Sequence, residues 1–483
     1  MLPKKTNYDV VIVGSGLSGQ VAAAQAGQLG LKALVVEQGR TTGGSGNYVE
    51  GIFAVGSKMQ KEQGIKLTKE EILQHELEFS HYEANTQIWK DYLANSSENV
   101  DWMQEMGVDF TQVATLGVGM DTWHMFAGLG KHAIHEGLEP TAKKFGVEYV
   151  TSCKAMGLSL NADAISEVTV QDYESKEVAT LQTKAVILAS GGYLNNQQLL
   201  EKYSTANANR IVPMNSGKSD GSGLELAWKV GAKKYRLGMA MMFGGQVKES
   251  SQPAYKFWKN DLGLAACEMA PLWVNEIGER FVDKSVFRIW SHAGNAIIQQ
   301  EKVYAILDQG IIDKFADEKL PRTLKPLSDR TRLEHLKDII ADCEAQKMQF
   351  LTKADSIEEL AEKLHQPQLL ATVHRYNEFC KQKQDQDFEK PDNFLTAVKQ
   401  GPFYAFELGV GAYCTMGGLR INRANQVLNE AGLSIEGLYA VGSDASGVLV
   451  GDTYGVSVPG SEAGYCVYSG RNAVQQVANK ISK

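Results

Sequence analysis

Apolar positions in this chain gather into short unbroken runs that end on glycine, separated by longer stretches in which they recur at helical spacing. The first run, Tyr8 to Val13, stops at Gly14-Ser15-Gly16-Leu17-Ser18-Gly19. A run this short, with glycine at its end, reads as a strand buried on both faces. The alanine-rich segment Leu17 to Leu29 predicts a helix, and Ala33-Leu34-Val35-Val36 predicts a second strand ending on Glu37. Strand, glycine turn, helix and strand make a βαβ unit.

Beyond it, Lys69 to Met106 is mostly helical in pattern, with Leu73, Leu77, Trp89, Tyr92 and Trp102 among its apolar positions. Gly128 to Phe145 predicts more helix, which Pro140 should break, and Val147 to Val150 a short strand. Ile165 to Asp172 and Ala179 to Gln182 read as an antiparallel pair turning at 173–177. Ala185 to Ser190 is a further buried strand, closed by Gly191-Gly192. A glycine-rich turn, Asn215 to Gly223, opens a helix to Val230.

The pattern changes at Met239, where Met239, Met241, Met242, Phe243, Tyr255, Phe257, Trp258, Trp273, Phe287 and Trp290 crowd together. They read either as core or as the wall of an apolar pocket. Charged helices follow from Ser328 to about Lys383. The opening character returns in the strand Gly437 to Asp444 and the final helix Glu462 to Lys480. Residues 239–412 are therefore expected to form a second domain inserted between residues 1–238 and 413–483 of the first. At 483 residues the chain is too long for a single core, which agrees.

The first forty residues carry the clearest chemistry. Gly14 permits a tight turn, Gly16 a close approach to a pyrophosphate, and Gly19 close packing of helix on strand. Glu37, at about the usual twenty-residue spacing, can accept a hydrogen bond from a ribose, so the segment predicts a dinucleotide site. The loop Gly39 to Asn47 is too glycine-rich for helix or strand and brings backbone donors near a ligand. Net charge is -8 without a basic cluster, which argues against nucleic acid as a partner. Six scattered cysteines, without a CxxC or CxxCH, argue against haem, zinc or an iron–sulfur framework, and no metal is expected. No apolar run reaches the eighteen or so residues of a membrane span, and the first strand begins too early for a signal peptide before it. A soluble cytoplasmic protein is the expectation.

Taken in order, these segments resemble the FAD-binding superfamily of fumarate reductase and succinate dehydrogenase flavoproteins, which includes urocanate reductase and the 3-ketosteroid dehydrogenases. The resemblance rests on the opening fingerprint with Glu37, Gly43-Gly44, Leu188 to Gly192, Ser219 to Gly223, Leu272 to Val282, His374 to Asn377, Thr415 to Gly418 and Gly437 to Asp444. It implies an α/β fold, a doubly wound, Rossmann-like FAD-binding domain with an inserted α+β capping domain. Expected cofactor contacts are Gly14, Ser15, Gly16, Ser18 and Gly19, then Glu37 and Gln38, and Gly43, Gly44 and Ser45. Ala189, Ser190, Gly191, Asp220, Gly442, Ser443 and Asp444 complete them. Some members attach FAD through a histidine near the Gly-Gly loop. No histidine lies between Met1 and Gln74 here, which implies non-covalent FAD. With no haem site or spare domain, electrons must pass to or from a separate donor or acceptor.

The resemblance also implies the chemistry, hydride transfer from flavin N5 to one carbon of a C=C bond and protonation of the other. The spacing Arg280-Phe281-Val282-x5-Arg places Arg288 where the family's proton-donating arginine stands. Two departures bear on substrate. Cys414, after Tyr413, replaces a carboxylate-binding histidine, and Gly451-Asp452-Thr453-Tyr454 lacks a second carboxylate-binding arginine. Enclosing a carboxylate without paired donors costs several kcal/mol, so plain fumarate is disfavoured unless Lys248 or Lys256 substitutes. Tyr454 is similar instead to the carbonyl-binding tyrosine of ketosteroid dehydrogenases. The expected catalytic residues are Arg288, Tyr454 and Tyr413, and the expected substrate contacts Phe243, Cys414, Gly417 and Gly418. His124 and His292 are further candidates, each more simply read as structural. The leading reading is a reductase of an activated C=C bond in a small enone or enoate. The alternatives are a dehydrogenase acting next to a ketone and a non-catalytic flavoprotein.

Overall fold

The computed structural model describes all residues except 1, 205–206, 259, 321–330, 456 and 483. The opening run forms the strand Asn7–Val13, whose Val10 to Val13 are buried. It pairs in parallel with Ala33–Val36 on one side and with Val178–Leu188 on the other. The same sheet extends in parallel to Glu148–Val150 at one edge and to Ser434–Ala440 beyond Val178–Leu188. Both ends of the chain therefore build one sheet. The helices Leu17–Gln28 and Ser461–Ile481 pack against each other, and each buries a face of small residues.

An antiparallel ribbon, Cys153–Asn161 and Ala164–Asp172, leads into Val178–Leu188. Two expectations change here. The runs Ala179 to Gln182 and Ala185 to Leu188 belong to one strand. Its first half alternates exposed and buried in the ribbon, and its second half enters the core, where every position is covered. The outer ribbon strand Cys153–Asn161, which pairs with Ala164–Asp172, carries only a partly buried face, too weak a pattern to read from sequence. A third correction concerns Pro140, because the chain stays helical from Gly130 to Lys144. The turn Ala133–Leu138 just before it is a π-helix, so the ladder is already re-spaced where the proline ring would meet a carbonyl. The helical stretch 69–106 is two helices, Lys69–Phe79 and Thr86–Glu105, separated at His81 and Tyr82, both left-handed.

A second sheet is organised by Phe403–Thr415, a thirteen-residue strand. Val303–Asp308, Ala240–Val247 and Leu351–Ala354 pair with it antiparallel, Ile211–Pro213 in parallel, and Leu272–Asn275 follows Val303–Asp308. The long strand runs through positions 412 and 413, so its last residues, Tyr413 to Thr415, reach from the second sheet toward the first. The helices Leu336–Ala345, Ile357–Leu364 and Leu369–Gln382 fall in the stretch read as charged helix, whose expected start at Ser328 lies outside the described residues. Among the described residues no helix is long and apolar enough to cross a membrane.

Candidate active site

A continuous cavity of about 910 Å³ runs from Glu37, past the glycine turn, to the end of the long strand. Its floor is set by backbone crowding. Gly14 has φ +101, and a Cβ there would stand 2.3 Å from the Ala189 carbonyl oxygen. A Cβ on Gly19 would stand 2.1 Å from the Gly14 carbonyl oxygen, so turn, helix and strand meet at a distance only glycine allows. Gly19 itself stays behind the wall, whereas Gly14, Ser15, Gly16 and Ser18 line it. The helix beginning at Leu17 has no side-chain cap, which leaves its first N–H groups for an anion.

Glu37 lines the cavity and organises the turn. Its Oε2 accepts from Ser15 N at 3.0 Å and Ser15 Oγ at 2.6 Å, and its Oε1 accepts from Gly39 N at 2.6 Å. Gln38 lines the same end and donates to the Lys218 carbonyl at 2.8 Å. Gly44, Ser45, Ala189, Ser190, Gly191 and Ser443 also face the cavity. Gly43, Asp220, Gly442 and Asp444 do not line it. Gly43 closes the turn by donating to the Ser15 carbonyl at 2.9 Å. Asp220 pairs with Lys154 at 2.9 Å and binds Ser222 N and Oγ. Gly442 (φ +56) carries the chain into the turn that presents Asp444. Buried Asp444 accepts from Ser190 N at 2.6 Å and Gly192 N at 2.8 Å, which clamps the two strand ends together. Burial outweighs those bonds and raises its carboxyl above the usual range.

The glycine cradle and the free helix terminus fit a dinucleotide, and one orphaned atom marks the other end. Glu462 opens the final helix, lines the cavity and is 7% exposed. Its Oε1 accepts from Ser443 Oγ at 2.9 Å, while its Oε2 has no hydrogen-bond partner. A buried acceptor behind a cavity wall, with Ser446 as a neighbouring donor, fits a ligand hydroxyl or N–H that reaches the wall. Burial pushes its carboxyl up to about 7. Glu462→Ala should therefore weaken FAD retention about ten-fold or more, read as flavin released on dilution. Unchanged retention would show that Oε2 takes no part in holding the cofactor. Sequence reasoning passed over Glu462, whose only signal is a charged residue following Pro459-Gly460 at a helix start.

The family model for the FAD binding domain matches residues 9–453. The chain belongs to this family of FAD-binding fumarate reductase and succinate dehydrogenase flavoproteins. It is similar to the vinyl phenol reductase of Lactiplantibacillus plantarum, 44% identical over 481 residues, 99% of this chain and 97% of that protein. Its fold matches a 3-ketosteroid delta1-dehydrogenase from Sterolibacterium denitrificans (TM-score 0.79, 18% identity, 99% of this chain and 100% of that one). It also matches an open flavocytochrome c3 fumarate reductase (TM-score 0.74, 21% identity, 98% and 79%). The chain is an FAD-dependent oxidoreductase of CH–CH bonds, a reductase of an activated C=C bond.

Past Glu462 the cavity becomes aromatic. Phe243 stacks on Tyr413 with ring centres 4.4 Å apart, and Trp258 meets Tyr413 edge-on at 6.1 Å. Trp290 lies 6.0 Å from Phe243. Of the Met and aromatic crowd, Met241, Met242, Phe243, Tyr255, Trp258 and Trp290 face the cavity, whereas Phe257, Trp273 and Phe287 are core. Trp258 N–H donates to the Tyr413 hydroxyl, and burial holds that hydroxyl far above its usual titration range. Tyr454 lines the cavity, is 5% exposed and accepts from Ser461 Oγ at 3.2 Å. Cys414 lines it as a thiol, since burial raises it well above the usual range, with its Sγ 3.8 Å from Met241 Sδ.

Five candidates for the substrate end stand elsewhere. Arg288 is exposed at the end of the turn Lys284–Arg288, its guanidinium 5.9 Å from the Phe394 ring, and does not line the cavity. Gly417 and Gly418 lie behind the wall, where a Cβ would meet the Arg236 carbonyl oxygen at 2.0 Å and the Asp444 carbonyl oxygen at 2.7 Å. His124 is buried outside it, bonded to Ser57 Oγ at 2.7 Å and the Thr122 carbonyl at 3.0 Å, and pushed down to about 4 by burial. His292 stacks on Phe79 at 5.7 Å. Lys248 sits 3.7 Å from Glu407, and Lys256 bonds Gln252. Neither lines the cavity.

Proposed function

We propose that the chain reduces the vinyl group of a 4-vinylphenol-type substrate to an ethyl group. The observation that carries this reading is the charge of the cavity wall. Among the described lining residues the only cations are Lys154 and Lys218, at the Glu37 end, tied to Asp220 and to the Thr41 carbonyl. The aromatic end offers rings and the hydroxyls of Tyr255, Tyr413 and Tyr454, with no Arg, Lys or His. Such a wall suits a flat neutral phenol and offers a carboxylate no counter-charge.

A vinyl group on a phenol is not an electrophile as it stands. It becomes one when the terminal carbon gains a proton from a donor in the wall and the phenolic O–H releases one to solvent, from which the donor is recharged; the ring is then a quinone methide. A hydride then adds at the benzylic carbon, the ring regains its aromaticity, and the phenolic oxygen takes up a proton. Bound FAD, once reduced by a separate donor, supplies the hydride. Tyr413 protonates the terminal carbon, a role the sequence left between Arg288 and Tyr413, and Trp258 N–H steadies the oxygen left behind. Tyr454, with Ser461 behind it, bonds the phenolic oxygen as negative charge develops there. The ring slot of Phe243 and Trp290 orients the substrate and excludes water. Non-covalent FAD accords with a lining that contains no histidine, and a cytoplasmic setting with six free cysteines.

The test is anaerobic. Enzyme reduced with dithionite should return to the oxidised flavin spectrum with 4-vinylphenol, and should stay reduced with styrene, which lacks the hydroxyl, and with fumarate. Reoxidation by fumarate but not by the vinylphenol would sink the reading. Bleaching of the oxidised enzyme by a saturated ketone would replace it with the dehydrogenase alternative.

A further inference from the structure

Behind Tyr454, outside the cavity, lies a second carboxyl that the mechanism above does not use. Glu76, on the helix Lys69–Phe79, is 4% exposed, and its Oε1 has no hydrogen-bond partner. It forms no salt bridge among the described residues. The loop that carries Tyr454 rests on this helix. A side chain at Gly455 would start 3.4 Å from Glu76 Oε1, one at Gly451 would start 2.7 Å from the Ser80 carbonyl oxygen, and His75 Nε2 bonds Ser457 Oγ at 2.6 Å. Glu76 interacts electrostatically with Tyr454 and with Tyr92, whose hydroxyl donates to the Ser461 carbonyl at 2.9 Å.

Resting on the phenol reading, we propose that Glu76 is a positioning residue that acts through Tyr454. A buried, uncharged carboxyl behind the tyrosine adds no negative charge on that side, so that the substrate's oxygen can carry it even where Glu462 on the other side has ionised. The pairing of a tyrosine with a neutral carboxylic acid at a developing oxyanion is an established arrangement in other enzymes. Burial alone raises Glu76 to about 8, so it is neutral at pH 7 and ionises above that value. The titratable groups that interact with it are Tyr92 and Tyr454, with His75 on its own helix and His292 stacked on Phe79; Glu462 and Cys466 face Tyr92 from the final helix, and Glu462 faces Tyr454 as well. His75 is itself lowered by burial, so no cation forms there above neutrality to offset an ionised Glu76.

The experiment titrates 4-nitrophenol into the oxidised holoenzyme and follows the perturbed flavin spectrum. Affinity is expressed for the phenolate form, from about pH 7 to about pH 9.5. In the wild type that affinity should fall at least about ten-fold across the range, because two negative charges would then share one buried site. Glu76→Gln, which cannot ionise, should match the wild type at pH 7 and stay level above about pH 8, where Glu462 has already ionised and only Glu76 still titrates in the wild type. A level wild-type profile would overturn the proposal without recourse to any variant. So would a Glu76→Gln protein that keeps the wild-type slope. If the phenol binds neither protein at any pH, the phenol reading itself fails and the inference falls with it.

Discussion

Gly14→Ala should yield a protein that folds without flavin. The added methyl would have to occupy a backbone with φ +101 and stand 2.3 Å from the Ala189 carbonyl oxygen. Neither neighbour is free to yield. Ala189 N donates to the Val13 carbonyl at 2.9 Å, and Gly14 N to the Val36 carbonyl at 2.9 Å, so the turn is held from both flanking strands. Strained backbone and overpacking each cost roughly 1–3 kcal/mol, and the turn can relieve them only by moving into the space where the pyrophosphate lies. FAD affinity should drop by about 100-fold or more, read from the flavin-to-protein absorbance ratio after gel filtration. Because the glycine is at a strand end rather than within the strand, far-ultraviolet circular dichroism should stay close to that of the wild type. A fully yellow Gly14→Ala protein would show that the turn does not cradle the diphosphate.

The same residue shows why the cofactor half of the site was legible in sequence. A positive φ or an approach under 3 Å restricts a position to glycine, so backbone geometry is written directly into residue identity at Gly14 and Gly19. Glu37 belongs to the same class, since a carboxylate at the end of a buried strand needs donors, and three local ones converge on it. The substrate half was less legible. Motif spacing located the backbone of Arg288, but spacing says nothing of side-chain direction, and the guanidinium faces Phe394 rather than the cavity. Gly417 and Gly418 were expected as substrate contacts through the resemblance of the Thr415 to Gly418 segment, and a motif does not show what stands opposite it. The approaching groups are the backbones of Arg236 and Asp444. Glu76 and Glu462 were missed for the opposite reason. A single glutamate in a helical segment usually marks a solvated face, and only the assembled fold shows these two sealed against Tyr454 and the cavity. The merged strand Val178–Leu188 shows the limit for secondary structure, since its periodicity changes midway as it passes from ribbon to core.

Tyr413→Phe should retain FAD and lose turnover. The residue stands in the strand Phe403–Thr415, two places before its end, where the long strand of the second sheet reaches the cofactor sheet. Phenylalanine preserves the stacking on Phe243 and the edge contact with Trp258, so the pocket keeps its shape. What disappears is the hydroxyl proton. Positioned proton donors contribute about 10²–10⁴ in rate, and the anaerobic reoxidation of reduced enzyme by 4-vinylphenol should slow by that order. Substrate affinity should change little, because the lost group acts on carbon in the transition state rather than on the bound phenol. Tyr454→Phe should behave differently, raising KM as well as lowering kcat, since its hydroxyl bonds the phenolic oxygen in both states. The pH dependence separates the two tyrosines further. Burial keeps the Tyr413 hydroxyl protonated throughout the alkaline range, so it cannot itself cause a loss of rate above pH 8. A decline there belongs to Glu76 ionising behind Tyr454, and Tyr413→Phe should keep that decline at its lower rate, whereas Glu76→Gln should remove it. A Tyr413→Phe enzyme that reoxidises at the wild-type rate would return Tyr413 to a packing role and leave the terminal carbon to be protonated from water.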